Sequence, residues 1–385
     1  MIINKESAPH LRKKATVTRM MVDVLIALAP TLIFAFAVYH IYAISTFLIS
    51  LFCMVGSEFI YVGLRNMMPK DGLKHSFKER FIYAYKDKFN KNNVLTASIS
   101  AIIFTLIMPV AMKLPSGTII PPIYPAIIGS LVGIWFGKLV FGGTGSNIFN
   151  PTAVGMVFAK LCFGSSYLTY VDNWYYEIPS GVAGATPLGG KLSSLDNFVN
   201  NFNYYSPLDM FFGRIPGTVG EIFKITIIIG LVYLLIRRSV DWRIVVSYLG
   251  TFICLMLIAG LSVFALNNDV NPLKFTIYAL FSGGVLFGAA FMLTDPVTSP
   301  INSPSRIMYG IIAAIITVYI RLFAALPEGV AFSILIANML ASFLDHYEWS
   351  SAKYTWKKIV AISLLVAIPA LFTFIIVRFG GVYHG

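Results

Sequence analysis

Apolar runs long enough to cross a bilayer recur along this chain, and they exclude most folds at once. Runs fall at about 17–39, 41–65, 94–113, 120–140, 148–163, 222–236, 242–264, 273–293, 306–324, 329–345 and 358–377. Many approach the roughly 20 residues that an α-helix needs to span the hydrocarbon core. Charged residues make up only 12% of the chain, about half the share of a soluble domain. The period-2 alternation of a transmembrane barrel is missing. The expected fold is therefore all-α and polytopic, with about 10–11 transmembrane helices. The run from Val17 has no small-residue cleavage site after it and reads as a retained helix.

The formal charge of +12 raises the question of nucleic acid, and its placement answers it. Lys5, Arg12, Lys13, Lys14 and Arg19 flank the first run. Lys70, Lys74, Lys78, Arg80, Lys86, Lys88 and Lys91 crowd the segment after the second. Arg237, Arg238 and Arg243 crowd another. Such clusters are the anchors of the positive-inside rule, so the expected partner is the lipid bilayer and not nucleic acid. The segment 164–221 carries Asp172, Glu177, Asp196, Asp209 and Glu221 against Lys191 and Arg214, and reads as an external loop. The run 148–163 then has to cross, which places the N-terminus in the cytoplasm and the C-terminus outside. Four regions result: a first membrane half (1–163), an external loop (164–221), a second membrane half (222–345) and an additional C-terminal helix (346–385).

The two halves echo each other. Phe141-Gly-Gly-Thr-Gly-Ser-Asn-Ile-Phe-Asn-Pro151 interrupts the first, and Phe291-Met-Leu-Thr-Asp-Pro-Val-Thr-Ser-Pro300 interrupts the second. Paired interruptions mark repeated transporter-like folds, and irregular backbone at membrane depth has to line protein or a cavity. The glycines Gly142 and Gly143 let backbone approach either a flat ligand or a neighbouring helix. Asn147 and Asn150 can hydrogen-bond such a ligand, and Thr294 and Asp295 offer polar groups beside the second break. The first break lacks the lysine of a phosphate loop. Asp23, Glu58 and Asp295 are acids in or beside apolar spans, where ionisable groups mark ion paths. The alternative for Asp23 and Glu58 is pairing with Arg321 or Lys138.

Other chemistry is thin. Cys53, Cys162 and Cys254 are far apart in apolar runs and read as small buried hydrophobes, not as metal ligands. The histidines do not cluster, and no hydrolytic arrangement stands out, so any redox chemistry has to come from a cofactor. The stretch Ser180-Gly-Val-Ala-Gly184-Ala185-Thr186-Pro187-Leu-Gly-Gly190 remains. Small residues, among them Gly184 and Ala185, leave the Thr186 hydroxyl open to a bulky group. On the residues alone, a plain turn is the simpler reading.

Gly184-Ala185-Thr186 resembles the flavin-attachment motif of the ion-translocating redox complexes, in the RnfD chain of Rnf and the NqrB chain of the Na+-translocating NADH:quinone reductase. The segments 141–151 and 292–297 resemble that family's GGxGxNxxNP and TDPV stretches. The segment from Arg321 to Asp345 resembles its last shared helices, through Pro327-Glu-Gly329 and Ala337-Asn338. These motifs occur in order and cover most of residues 8–347. Ser180 and Ala183 stand where the family often has Asp and Ser or Thr. The short basic arm, Ser7-Ala-Pro-His10 and Pro187 are closer to the RnfD type than to the quinone reductase type.

The resemblance implies a phosphodiester-linked FMN on Thr186, placed by a flavin transferase, and a second, non-covalent flavin (riboflavin) in the membrane part near 142–150 or 294–296. It implies a translocase subunit of a bacterial inner membrane, with no catalytic site of its own beyond flavin. Its partners are the other Rnf subunits, and the complex moves electrons between ferredoxin and NAD while translocating Na+ or H+. Two rivals stand beside this expectation: the quinone reductase subunit, and a flavin-free channel or solute transporter of the same repeated fold.

Overall fold

A computed structural model describes residues 17–66, 76–82, 85, 89–114, 116–164, 175, 206–265, 270–324, 329–346 and 354–379. Thr186, Gly184 and Ala185 lie outside the described residues.

The chain is an all-α polytopic membrane protein. In order come α1 (Val17–Tyr39), α2 (Ile41–Asn66), α3 (Phe77–Ile82), α4 (Lys91–Ile107), a two-stranded antiparallel hairpin (Met112–Lys113 with Ile119–Ile120), α5 (Ile123–Ile134) and α6 (Pro151–Phe163). After these come α7 (Pro207–Phe212), α8 (Lys224–Arg237), α9 (Trp242–Phe264), α10 (Pro272–Phe281), α11 (Val285–Phe287), α12 (Ser303–Phe323), α13 (Val330–Leu344) and α14 (Trp356–Phe379). Among the described residues, α1, α2, α9, α12 and α14 are each long and apolar enough to cross a membrane. Shorter apolar helices, such as α4, α6 and α13, fill the space between them.

Large apolar side chains lie on the outside: Phe52 is 81% exposed and Phe343 67%. In lipid this is the stable arrangement, because hydrocarbon solvates such groups as well as a core does. Cys162 and Cys254 share that outer surface and are exposed, which corrects the expectation that all the cysteines are buried. The α14 helix is the most peripheral. Its Thr373 and Val377 are buried, while most of its aliphatic surface is bare.

The run 273–293 is not one helix. The chain bends by 62° at Ser282-Gly283-Gly284, between α10 and the segment Val285–Met292. Gly283 takes a φ of +64°, which ends α10 where an L side chain would be strained. The end of the 164–221 segment also departs from a solvated loop. Ile215, Val219 and Ile222 are buried, and Glu221 is only 6% exposed. The amides of Val219 and Gly220 donate to Met108 O and Leu106 O, at 3.1 and 2.7 Å, just where α4 stops. Charge counting treats Glu221 as solvated because it cannot see this pairing.

The echo of the halves goes deeper than the sequence shows. Each break is preceded by a five-residue π-helical turn, Trp135–Leu139 in one and Gly288–Met292 in the other. Such wide turns are frequent at functional sites. The first break is brought close to its neighbours by a stripe of glycines. A Cβ on Gly133 would meet Pro151 O at 2.6 Å, and one on Gly137 would meet Pro151 Cα at 2.6 Å. Gly129, one turn earlier, faces Phe104 and Gly155 in the same way. The spacing is the small-xxx-small pattern of close membrane helices, and α6 rests its backbone on α5 because of it.

Candidate functional site: a chamber between the two breaks

The two breaks meet. The Asn150 side chain caps α6, accepting from Thr152 N at 3.0 Å and Ala153 N at 3.4 Å, while Pro151 opens the first turn. Its Nδ2 donates to Met292 O at 3.2 Å, beside the second break. Asn338 of α13 locks the pair together. Its Oδ1 accepts from Asn150 N at 3.0 Å, and its Nδ2 donates to the Tyr309 hydroxyl at 2.8 Å. These groups are nearly inaccessible to solvent, so each bond replaces a hydration that the site cannot offer.

Between the breaks lies an open-mouthed cleft of about 820 Å³ counting its mouth and the adjoining solvent, with an enclosed space of about 90 Å³ within it. Met20, Met21, Val24, Ile99, Ile103, Leu234 and Phe291 give it apolar walls. Thr96, Lys138, Thr144, Asn147, Asn150, Ser239, Thr294 and Asp295 supply its polar positions. Gly145 lines it with a φ of +89°, and a Cβ there would meet no protein atom within 4 Å. The backbone is thus open to whatever enters.

The sequence-derived residues divide among three places. Asn147, Asn150, Thr294 and Asp295 line the chamber. Asn147 Nδ2 donates to Phe149 O at 3.3 Å, and Thr294 Oγ1 to Ala290 O at 2.7 Å. The hydrogen bonds of Asn150 hold the breaks in position. Asp295 does not cap α12. It caps its own turn, accepting from Val297 N at 3.1 Å and Thr298 Oγ1 at 3.4 Å. Gly142 and Gly143 line a separate polar recess, which shares Thr144 with the chamber and is bounded by Tyr61, Arg65, Asn90, Asn92 and Asn93. Arg65 reaches across it to donate to Gly142 O at 2.6 Å.

Asp23 and Glu58 flank the chamber through partners. Glu58 is fully buried in a salt bridge with Lys138 and also accepts from Asn93 Nδ2 at 3.2 Å. Lys138 in turn donates to Thr96 Oγ1 at 2.7 Å. Asp23 pairs with Arg237, not with Arg321. Its Oδ1 accepts from Arg237 Nε at 3.1 Å and the Tyr233 hydroxyl at 3.2 Å, and its Oδ2 from Ser239 Oγ at 2.7 Å. Arg321 lies elsewhere, donating to Ala279 O at 2.7 Å and Ser282 O at 3.2 Å. Among the described residues, no group of His, Cys, Asp and Glu has the arrangement of a metal centre.

Thr96, Thr144 and Ser239 escape sequence reading: Thr96 is a lone hydroxyl in an apolar run, Thr144 is one small residue of a glycine-rich break, and Ser239 sits among charges that read as a topology anchor. Asn338 has one, as a buried amide in the middle of an apolar helix.

A family model described as NQR2, RnfD, RnfE matches residues 4–353. The chain belongs to this family. Among relatives, it is 28% identical to the D-type subunit of the proton-translocating ferredoxin:NAD(+) oxidoreductase complex of Clostridium ljungdahlii over 354 residues, covering 90% of this chain and 94% of that one. It is 33% identical to the B-type subunit of the Na(+)-translocating NADH-quinone reductase of Chromohalobacter salexigens, over 65% of this chain and 57% of that protein. The corresponding protein of Ectopseudomonas mendocina is 31% identical, over 65% of this chain and 58% of its own length. The chain thus spans less than three fifths of these quinone reductase subunits. The matched family region takes in both breaks and Asn338.

Proposed function

We propose that this chain is the D-type membrane subunit of an Rnf-like complex that passes electrons between ferredoxin and NAD while translocating Na+ or H+. The observation that carries this reading is the end-to-end match to the D-type subunit of a ferredoxin:NAD(+) oxidoreductase, 94% of that relative's length against 57% for the B-type subunit of a quinone reductase. The higher identity of the latter, 33% against 28%, keeps a quinone-reducing complex as the second reading. Ferredoxin and NAD bind other subunits in this proposal, since the chamber is small and mostly apolar.

Two flavins belong to it. FMN is proposed on Thr186, as a phosphodiester placed by a flavin transferase, with Gly184 and Ala185 giving access. A non-covalent riboflavin is proposed in the chamber. The residues fit a planar ring system: apolar side chains for its faces, the bare backbone of Gly145 for close approach, and Asn147, Thr294 and Asp295 as polar groups around it. A flavin bound there supplies stepwise electron transfer. The chain's own part is to exclude bulk water with Met20, Val24 and Phe291 and to hold two charges, Lys138 and Asp295, on one wall. Asp23, Glu58 and Asp295 are proposed for the ion path, and of these Asp295 opens directly on the chamber.

Co-production with a flavin transferase, followed by a denaturing gel, tests the covalent site. A yellow-green fluorescent band at the mass of the chain is expected, and its loss in Thr186→Ala. Fluorescence that survives the substitution would remove Thr186 as the anchor, and a dark wild-type band would remove covalent FMN altogether.

A further inference from the structure

A second buried charged cluster lies at the other end of α8 from the chamber. The helix runs from Lys224 to Arg237, and Arg237 holds Asp23 beside the chamber. At 1.5 Å per residue, Lys224 lies roughly 20 Å away along the helix, most of the hydrocarbon thickness. Lys224 is 1% exposed and donates from Nζ to the carbonyl oxygen of Glu221. Glu221 itself is 6% exposed and its carboxylate attracts the Lys224 ammonium, while the Arg321 guanidinium repels it.

The cluster sits against the bend in the membrane helix. A Cβ on Gly284 would meet Glu221 Oε1 at 2.5 Å, so the carboxylate lies directly on the break. Arg321 caps the broken end of α10 through Ala279 O and Ser282 O. One more polar group is present. The Thr218 hydroxyl is buried and has no hydrogen-bond partner, and it belongs to the turn closed by Glu221 N on Thr218 O at 3.3 Å. A buried hydroxyl left so costs free energy unless something binds it. In discontinuous membrane helices, unwound carbonyls and half-helix C-terminal ends coordinate cations, and buried acids there either pair or mark an ion path.

We infer that Glu221, with the Thr218 hydroxyl and the Glu221 carbonyl that Lys224 now occupies, is a cation station at the far end of the membrane path from the chamber. Oxygen donors of this kind suit Na+ or a proton. The Lys224 ammonium is a tethered cation that competes with the arriving one and so favours its release. This inference rests on the ion-translocating function proposed above.

The test uses the intact complex in proteoliposomes, with ²²Na+ uptake and a pH-sensitive dye as separate readouts and electron transfer measured with and without ionophore. Glu221→Gln is expected to lower cations moved per electron by about tenfold or more while flavin content and ionophore-released electron transfer persist. Lys224→Met is expected to keep translocation and to slow release, seen as a lower cation concentration at half-maximal rate. If Glu221→Gln fails to assemble, Glu221→Asp takes its place, with a several-fold shift in that concentration expected. Unchanged stoichiometry in Glu221→Gln, or unchanged cation dependence in both Glu221→Asp and Lys224→Met, overturns the inference. A wild-type complex that transfers electrons without moving either cation overturns the ion-translocating reading instead.

Discussion

Both breaks follow a five-residue π-helical turn, yet their backbones are built differently. The first is built on glycine: Gly142, Gly143 and Gly145 all take positive φ, between +89° and +120°. It needs outside support, from Arg65 on Gly142 O, Thr96 on Thr144, and Asn338 on Asn150 N. The second has no positive-φ residue between 293 and 302. Asp295 caps its turn from within, and this break has outside support as well: Asp345 accepts from Ile301 N and from Asn302 N at 3.2 Å, and Asn338 Nδ2 donates to Thr298 O at 3.4 Å. Glycine strips the backbone bare for close approach to a ligand but leaves it floppy, so neighbours have to fix its shape. Proline and aspartate stiffen a turn from within and present an ionisable group, so neighbours add to a shape the turn already favours.

This contrast can be broken experimentally. The largest effect is expected from Lys138→Met, beside the first break. It strands the fully buried Glu58 carboxylate, at about 3–5 kcal/mol, read as a fall in the thermal midpoint of the detergent-solubilised protein. The double substitution Lys138→Met with Glu58→Gln should recover most of the loss, and no recovery would show that the pair is not the cause. Asn150→Ala removes a helix cap and the bond to Met292 O. A cost of about 2–4 kcal/mol is expected.

Smaller effects should separate the breaks themselves. Gly143→Ala forces an L side chain to a φ of +91° and should cost about 1 kcal/mol, with weaker flavin retention after gel filtration. Asp295→Asn keeps an acceptor for Val297 N and should leave the thermal midpoint within about 1 kcal/mol of wild type while removing the charge from the chamber wall. Were Asp295→Asn to destabilise the protein more than Asn150→Ala, the charge of Asp295 and not its acceptor oxygen alone would hold the second break.

Much of this was legible in the residues. Asn-Pro is a local helix-start signal, and both Asn150 and Asn271 cap the helix that follows them. The pairing of Glu58 with Lys138 was one of two alternatives, since complementary charges in apolar spans have few other partners. Its counterpart failed for Asp23, because Arg237 reads as a topology anchor and its side chain turns back into the protein. Glu221 looked solvated because five acids in one polar stretch suggest a surface, and burial depends on a backbone pairing more than a hundred residues away in sequence.

By itself, the sequence determined that this chain lies in a bilayer, that it is helical, that it is interrupted at 141–151 and 291–300, and which family motifs it carries, while the bend at Ser282-Gly283-Gly284 went unread. Hydrophobic length and helix-breaking residues act locally, so they survive without a structure. Only the tertiary structure decided that the two breaks face one chamber, that Asn338 ties them together, and that Glu221 lies buried against Gly284. Those facts depend on which surfaces meet. In lipid that choice rests on close fit and buried hydrogen bonds, which no count of apolar residues contains.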